Sequence, residues 1–227
     1  MDGITFATNL LDSFQNKGLS VYLVGGSVRD FLLNKKLDDL DFATPCLPSQ
    51  IIEALDTSEY DDFSLQFGTV KTIYDGKSIE ITTYRKEGKY EKRRHPTQIE
   101  FVDDMHLDSI RRDFTINALY MDSNGQIYDF HNGQDDLRNK ILRMIGDADI
   151  RIKEDPVRIL RAIRFKLSLG FSLDPKLDEA IRNNIELVKE ISQSRLHMEL
   201  EKFYHSTTHK KLLEELKRYQ IEYIIDK

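Results

Sequence analysis

The sequence predicts an α+β chain in two parts, a mixed β-sheet with helices in front and an all-helical region behind. Three observations predict it. Short apolar runs of strand length, broken by glycines, are confined to the front. From about residue 147 the strand signals stop and periodic helices run to the end. Charge divides at nearly the same place. Residues 1–150 carry 17 Lys and Arg against 26 Asp and Glu, a net of −9, whereas residues 151–227 carry 16 against 13, a net of +3. The expected domains are therefore residues 1–146 and 147–227.

A chain of 227 residues that is 40 % hydrophobic can bury one sizeable core or two smaller ones. The acidic front argues against that half alone gripping a polyanion. One cysteine, Cys46, excludes an internal disulfide, and the six histidines show no zinc spacing. The opening "MDGITFATNLL" lacks a basic segment, and no apolar run approaches the ~18–20 residues of a membrane span. A reducing cytoplasm is the expected compartment and no membrane the expected partner.

The elements come in order along the chain. Ala7, Leu10, Leu11 and Phe14 recur at helical spacing, with Gly18 as the stop. "VYLVGG" reads as a buried strand running into glycines, and Val28, Phe31 and Leu32 as a brief helix. "LDFAT" alternates, so it is a strand with Leu40 and Phe42 facing the core and Asp39 and Asp41 sharing the other face. Asp38 then points away from that pair. "FSLQFG", "TVKTIY" and "SIEITTY" predict three strands of a meander, with Glu80 on the non-core face of the last. "RKEGKYEKRRHP", residues 85–96, is basic and aperiodic and predicts a mobile loop. "RRDFTINAL" reads as a helix start leading to a strand, and "YMDSNGQIYDF" as a hairpin. "EDPVRILRAIRFKLSLGF" predicts a helix with Asp155 as N-cap, Pro156 at its first position and Gly170 as its stop. Further helices are expected over 175–190, 192–205 and 208–225.

Three constellations carry chemistry. Gly25 and Gly26 can admit phosphate oxygens close to the backbone, and the helix start after them adds N–H donors. Asp39 and Asp41, sharing a face, can hold Mg²⁺, which takes one or two carboxylates and completes its shell with phosphate and water. In such a site one metal lowers the pKa of an attacking hydroxyl and the other neutralises triphosphate and pyrophosphate. The plain alternative is a tight turn before an acidic edge strand. In the second constellation, Asp113 and Asn117 lie one turn apart if helical, beside Arg111 and Arg112. They suit ribose hydroxyls and phosphate, or else a capped helix with solvated arginines. In the third, Asp155, Arg158 and Arg161 fall within one helical face of about 120°, with Arg164 at its rim and Val157, Leu160, Ile163 and Leu167 packing inward. An N-cap with exposed arginines is the alternative.

The spacing of "GG" and "DLD" resembles the nucleotidyltransferase superfamily that includes polymerase beta. "LVGGSVRDFLL…LDDLDFATP" is more specific. It resembles the first motif of class II (bacterial-type) CCA-adding tRNA nucleotidyltransferases and their poly(A) polymerase relatives. "RRDFTINAL", "DFHNGQDDLRNKILRMIGD" and "EDPVRILRAIRFKLSLGF" are similar to that family's ribose-reading motif, head-to-neck linker and base-reading helix, in its order.

The resemblance covers roughly residues 19–200 and implies a nucleotidyltransferase head followed by a helical neck. It implies transfer of CMP and AMP from CTP and ATP to the 3′ end of tRNA, with Asp39 and Asp41 on Mg²⁺. Glu80 either assists that pair or is merely solvated. Gly25, Gly26 and Arg29 would hold triphosphate, and Arg112, Asp113 and Asn117 the ribose. Asp155 and Arg158 would read the Watson–Crick edge of the base. A carboxylate accepts from an exocyclic amino group and a guanidinium donates to the adjacent acceptor, which suits cytosine and adenine. Arg161 and Arg164 would help with triphosphate. The full-length 85–96 segment would favour addition of the terminal A. The alternatives are a poly(A) polymerase, a CC-only or A-only enzyme, or a non-catalytic nucleotide- or RNA-binding derivative. Two departures stand out. Ser194 precedes Arg195 where the family usually has a Glu-Arg pair, and the family's body and tail are expected to be missing from this chain.

Overall fold

The computed structural model describes residues 2–37, 39–88, 90–91, 95–96 and 99–225. Asp38 and its expected orientation lie outside the described residues, as do residues 89 and 92–94 of the basic segment. Contacts group residues 1–89 and 96–134 into one compact unit and residues 90–95 and 135–227 into another. The division after Gln134 falls ahead of the boundary near 147 expected from texture. The reason is a strand pair. β11 (Ile141–Leu142) runs parallel to β12 (Ser172–Leu173), which ties the segment after Gln134 to the helical region.

In the first unit, α1 (Gly3–Asn16) is capped by the Asp2 carboxylate and buries Phe6, Ala7, Leu10, Leu11 and Phe14, the expected stripe. β1 (Tyr22–Val24) leads to α2 (Gly26–Leu32), and β2 (Leu40–Thr44) to α3 (Pro48–Leu55) and α4 (Asp62–Leu65). β3 (Thr69–Tyr74) and β4 (Lys77–Thr83) form an antiparallel pair. The expected first strand of that meander, "FSLQFG", is instead α4 and a turn. The Asp61 carboxylate accepts from the Phe63 amide at 3.1 Å and starts a helical turn, which leaves Phe63 exposed.

The basic segment also begins as structure rather than loop. β5 (Arg85–Glu87) pairs antiparallel with β8 (Ile99–Phe101), and two-residue strands β6 (Tyr90–Glu91) and β7 (His95–Pro96) lie between them in sequence. α5 (Met105–Ile110) precedes β9 (Leu119–Met121), which pairs with β10 (Ile127–Asp129) in the predicted hairpin. The Asp122 carboxylate closes its turn by accepting from the Asn124 and Gln126 amides, both at 2.9 Å. The six-stranded sheet has the order β10-β9-β1-β2-β4-β3, and only β2 and β4 run parallel. Leu23, Leu40, Phe42, Ile79 and Ile81 fill its core face.

α6 (Gly133–Asn139) carries the chain into the second unit. There α7 (Ala148–Glu154), α8 (Val157–Leu169), α9 (Pro175–Asn183), α10 (Gln193–Ser206) and α11 (His209–Arg218) form a helical assembly, with 3-10 turns over 185–190 and 222–224. β12, paired with β11, is the one strand among the described residues of 147–227, where only helices are expected. Among the described residues no helix is long and apolar enough to cross a membrane.

Candidate active site

The first unit brings the glycine turn, the β2 carboxylates and the segment after α5 together. Gly25 has φ +70°, a conformation that disfavours a side chain, and its amide donates to the Leu119 carbonyl at 3.1 Å. A β-carbon on it would come within 3.6 Å of Arg112 Nη1. Ser27, in the first turn of α2, pins β2 to this turn. Its hydroxyl donates to the Asp39 carbonyl at 2.9 Å and accepts from the Asp41 amide at 3.0 Å. The backbone at the two aspartates is thus tied to the glycine turn through one side chain.

Asp39 sits in a bend just before β2 and is exposed, while Asp41 is partly buried within the strand. Asp41 stands opposite Glu80 in the parallel β2–β4 register. Burial first, then the neighbouring Glu80 and Asp39 charges, push the Asp41 carboxyl up to about 6, against the pull of Arg112 and Lys71. Glu80 itself is half-exposed and paired with Lys71 at 2.5 Å. Carboxylates whose mutual repulsion is this poorly offset suit a divalent cation. Among the described residues no cluster of three or more metal-binding side chains forms a cage. The Asp39–Asp41 pair would leave most of a hard cation's shell to phosphate and water, as Mg²⁺ prefers.

Arg29 is buried. Its guanidinium donates from Nη1 to the Asn117 side-chain oxygen at 2.7 Å and, from Nε and Nη2, to both Asp30 oxygens at 2.9 and 2.7 Å. Asn117 ends a 3-10 turn, Thr115–Asn117, and Asp113 lies in a bend before it. The expected α-helical face shared by Asp113 and Asn117 is therefore absent. α5 ends at Ile110, and the extended, fully buried Phe114 breaks the chain between the two turns.

The second unit holds the remaining candidates. Asp155 lies outside α8, with an extended backbone, because the following proline disfavours the helical region. It therefore stands off the helical face expected to carry it, although its carboxylate still accepts from the Val157 amide at 3.2 Å. Arg195 grips the same carboxylate with two parallel bonds of 2.9 and 2.6 Å. Arg158 is 3 % exposed rather than on a solvated face. Its Nη1 donates to the Arg151 carbonyl at 2.6 Å and to Glu154 at 3.2 Å. Arg164 donates to Glu199 at 2.9 Å and Arg161 approaches the same carboxylate at 3.8 Å. Val157, Leu160 and Ile163 face inward as expected, and Ile159 and Ala162 join them.

Comparison with known proteins places the chain. Residues 21–143 match the family described as the Poly A polymerase head domain. The chain belongs to that family. Residues 170–225 match a second one, described as "Probable RNA and SrmB- binding site of polymerase A". A CCA-adding enzyme of Lactobacillus helveticus is 43 % identical over 196 residues, 86 % of this chain and 49 % of that protein. One from Geobacillus stearothermophilus is 39 % identical over 196 residues, 86 % of this chain and 48 % of that protein. The Bacillus stearothermophilus CCA-adding enzyme in complex with CTP superposes with a TM-score of 0.85 at 33 % identity, over 97 % of this chain and 53 % of that chain. The Thermotoga maritima CCA-adding enzyme complexed with tRNA gives 0.77 at 25 % identity, over 96 % and 50 %. The chain spans about half the length of the curated relatives it matches.

Within this poly A polymerase head family member, four side chains at or beside the candidate residues escape a reading of the sequence. Ser27 and Tyr120 carry no signal of their own. Asp108 stands three and four residues before Arg111 and Arg112, the spacing of helical ion pairs, and could have been found by it. Glu199, 35 residues from Arg164, could not.

Proposed function

We propose that this protein is a template-independent RNA nucleotidyltransferase that adds CMP and AMP, from CTP and ATP, to the 3′ end of tRNA. The observation that carries the reading is the side-chain-free Gly25 turn tied through Ser27 to Asp39 and Asp41. A site for transferring a nucleotide needs room for a triphosphate beside carboxylates that can bind cations. Mg²⁺ bound there would offset triphosphate charge and lower the pKa of the attacking hydroxyl. Asp39 and Asp41 would hold it, with Glu80 beside them. Gly25, Gly26 and Arg29 would receive triphosphate, and Arg112, Asp113 and Asn117 the ribose.

In the second unit, Asp155 and Arg158 would read cytosine or adenine, with Arg161 and Arg164 in support. The pair of hydrogen bonds that Arg195 donates to Asp155 gives that carboxylate a fixed orientation, which a hydrogen-bond reader needs. A tRNA substrate goes with a cytoplasmic location. The domain reading, a catalytic head and a helical neck, is retained with the transition at Gln134.

The head-domain match is shared by poly(A) polymerases, so a second outcome must be separated. The test is incubation with tRNA lacking its 3′ end and with CTP, ATP or both. Ordered addition of C, C and A followed by a stop supports the proposal. A long A tail makes the protein a poly(A) polymerase, and C or A alone a partial enzyme. Asp39→Ala is expected to lower incorporation at least about 100-fold with an unchanged circular dichroism spectrum. Persisting activity would remove the metal role from this pair.

A further inference from the structure

Asp108 is fully buried, a costly place for a carboxylate unless it is completely compensated. It is compensated on both oxygens. Oδ1 accepts from Arg111 Nε at 2.8 Å and from the Arg85 amide at 3.1 Å. Oδ2 accepts from Arg112 Nη2 at 3.0 Å and from the Tyr120 hydroxyl at 2.6 Å. These four bonds use the acceptor capacity of a carboxylate, so Asp108 has none left for a ligand. Burial would raise its pKa, but Arg111 and Arg112 outweigh that and hold it far below the usual carboxylate range. It stays charged.

The consequence falls on Arg112. Its Nη2 is held by Asp108 and its Nε donates to the Tyr120 hydroxyl at 3.0 Å. Because that hydroxyl spends its proton on Asp108, its lone pair is the one that faces Arg112. Both donated N–H bonds lie in the guanidinium plane, so their two acceptors set that plane. The third nitrogen, Nη1, is thereby set against the Gly25 turn. The other Asp108 oxygen ties this arrangement to the start of β5 at Arg85.

We infer that Asp108, with Tyr120, is the positioning residue that aims Arg112 at the ribose of the bound nucleotide. This rests on the proposed role of Arg112. Replacing a merely structural carboxylate here would cost stability, because it takes the partner from Arg111 and Arg112, but it would leave the choice of sugar unchanged. A positioning one controls how well the protein tells a ribonucleotide from a deoxyribonucleotide.

The test is calorimetric titration of the 227-residue protein with CTP and with dCTP. Mg²⁺ is present and RNA is omitted, so that no transfer occurs. An asparagine can accept on one side only, so Asp108→Asn should weaken CTP binding about 10-fold and bring the CTP-to-dCTP ratio close to one. Tyr120→Phe removes one hydroxyl and keeps the ring. It should weaken CTP binding about 3-fold with a partial loss of the ratio. Each variant is melted in parallel. If Asp108→Asn does not fold, Tyr120→Phe decides. Folded variants that keep the wild-type ratio overturn the inference. A wild-type protein that binds CTP but does not prefer it to dCTP overturns the role of Arg112, and this inference with it. A wild-type protein that binds neither overturns the proposed function.

Discussion

Arg158 and Asp155 show how much of a residue's role lies in partners that a sequence does not name. Arg158 is buried against Glu154 and the Arg151 carbonyl, and Asp155 is held by Arg195, 40 residues away. Removing the guanidinium takes one bond each from the Arg151 carbonyl and the Glu154 carboxylate, which keep the Asp155 amide and the Arg151 guanidinium as partners, at a cost of about 1 kcal/mol per bond. Arg158→Ala should therefore melt lower. If it reads the base, it should also relax the choice of CTP and ATP over UTP and GTP more than it slows turnover. Equal loss with all four nucleotides would remove that role and leave only the structural one. The residue types are legible in "EDPVRILRAIRF", but the burial of Arg158 is not. Nothing local in the sequence indicates that α8 is covered on nearly every side. Arg195 is visible as a departure from the family pattern, and only its bonds to Asp155 show that the arginine has a local task despite Ser194.

At the scale of elements, β2 is legible because a half-buried strand has a period of two, so Leu40 and Phe42 fix where Asp41 must point. α4 is not, because "FSLQF" has strand composition and the cap at Asp61 decides otherwise. The end of α5 is hidden for a similar reason. A buried Phe114 in extended conformation outweighs the helical pattern around it. The β2 strand also carries a cost. Asp41 takes a proton at about 6 in the folded protein against an ordinary 3.8, so the native state binds protons more readily. Stability linked to this group is present below about pH 4 and is lost as pH rises toward 6. Mg²⁺ should restore it by neutralising the charge. Thermal melts with Mg²⁺ and with EDTA should differ more near pH 7.5 than near pH 5. Asp41→Asn should melt higher than wild type without Mg²⁺ and respond little to it. A Mg²⁺ effect unchanged by that substitution would place the cation elsewhere.

For the molecule as a whole, the sequence's charge asymmetry bears on RNA binding. A net of +3 over residues 151–227, against −9 before them, offers few uncompensated cations to a phosphate backbone. Many of the arginines in the second unit are spent on internal carboxylates such as Glu199, Asp155 and Asp174. Under the proposed function, tRNA binding by this chain should therefore fall gently with salt, with a log–log slope of about −2 to −3. Filter binding between about 50 and 200 mM salt measures it, and a slope beyond about −6 would reveal a phosphate track that net charge conceals.

The parallel pairing of β2 and β4 has one more consequence, in time rather than space. Its register sets Asp41 beside Glu80, and parallel neighbours cannot be joined by a tight turn. In sequence, α3, α4 and β3 lie between the two carboxylates. Contacts between residues so distant in sequence close slowly. Glu80 thus joins Asp41 only once β2 and β4 have paired. A chain in which they have not paired lacks Glu80 beside Asp41, so under the proposed function it should not yet hold the cation as the finished protein does.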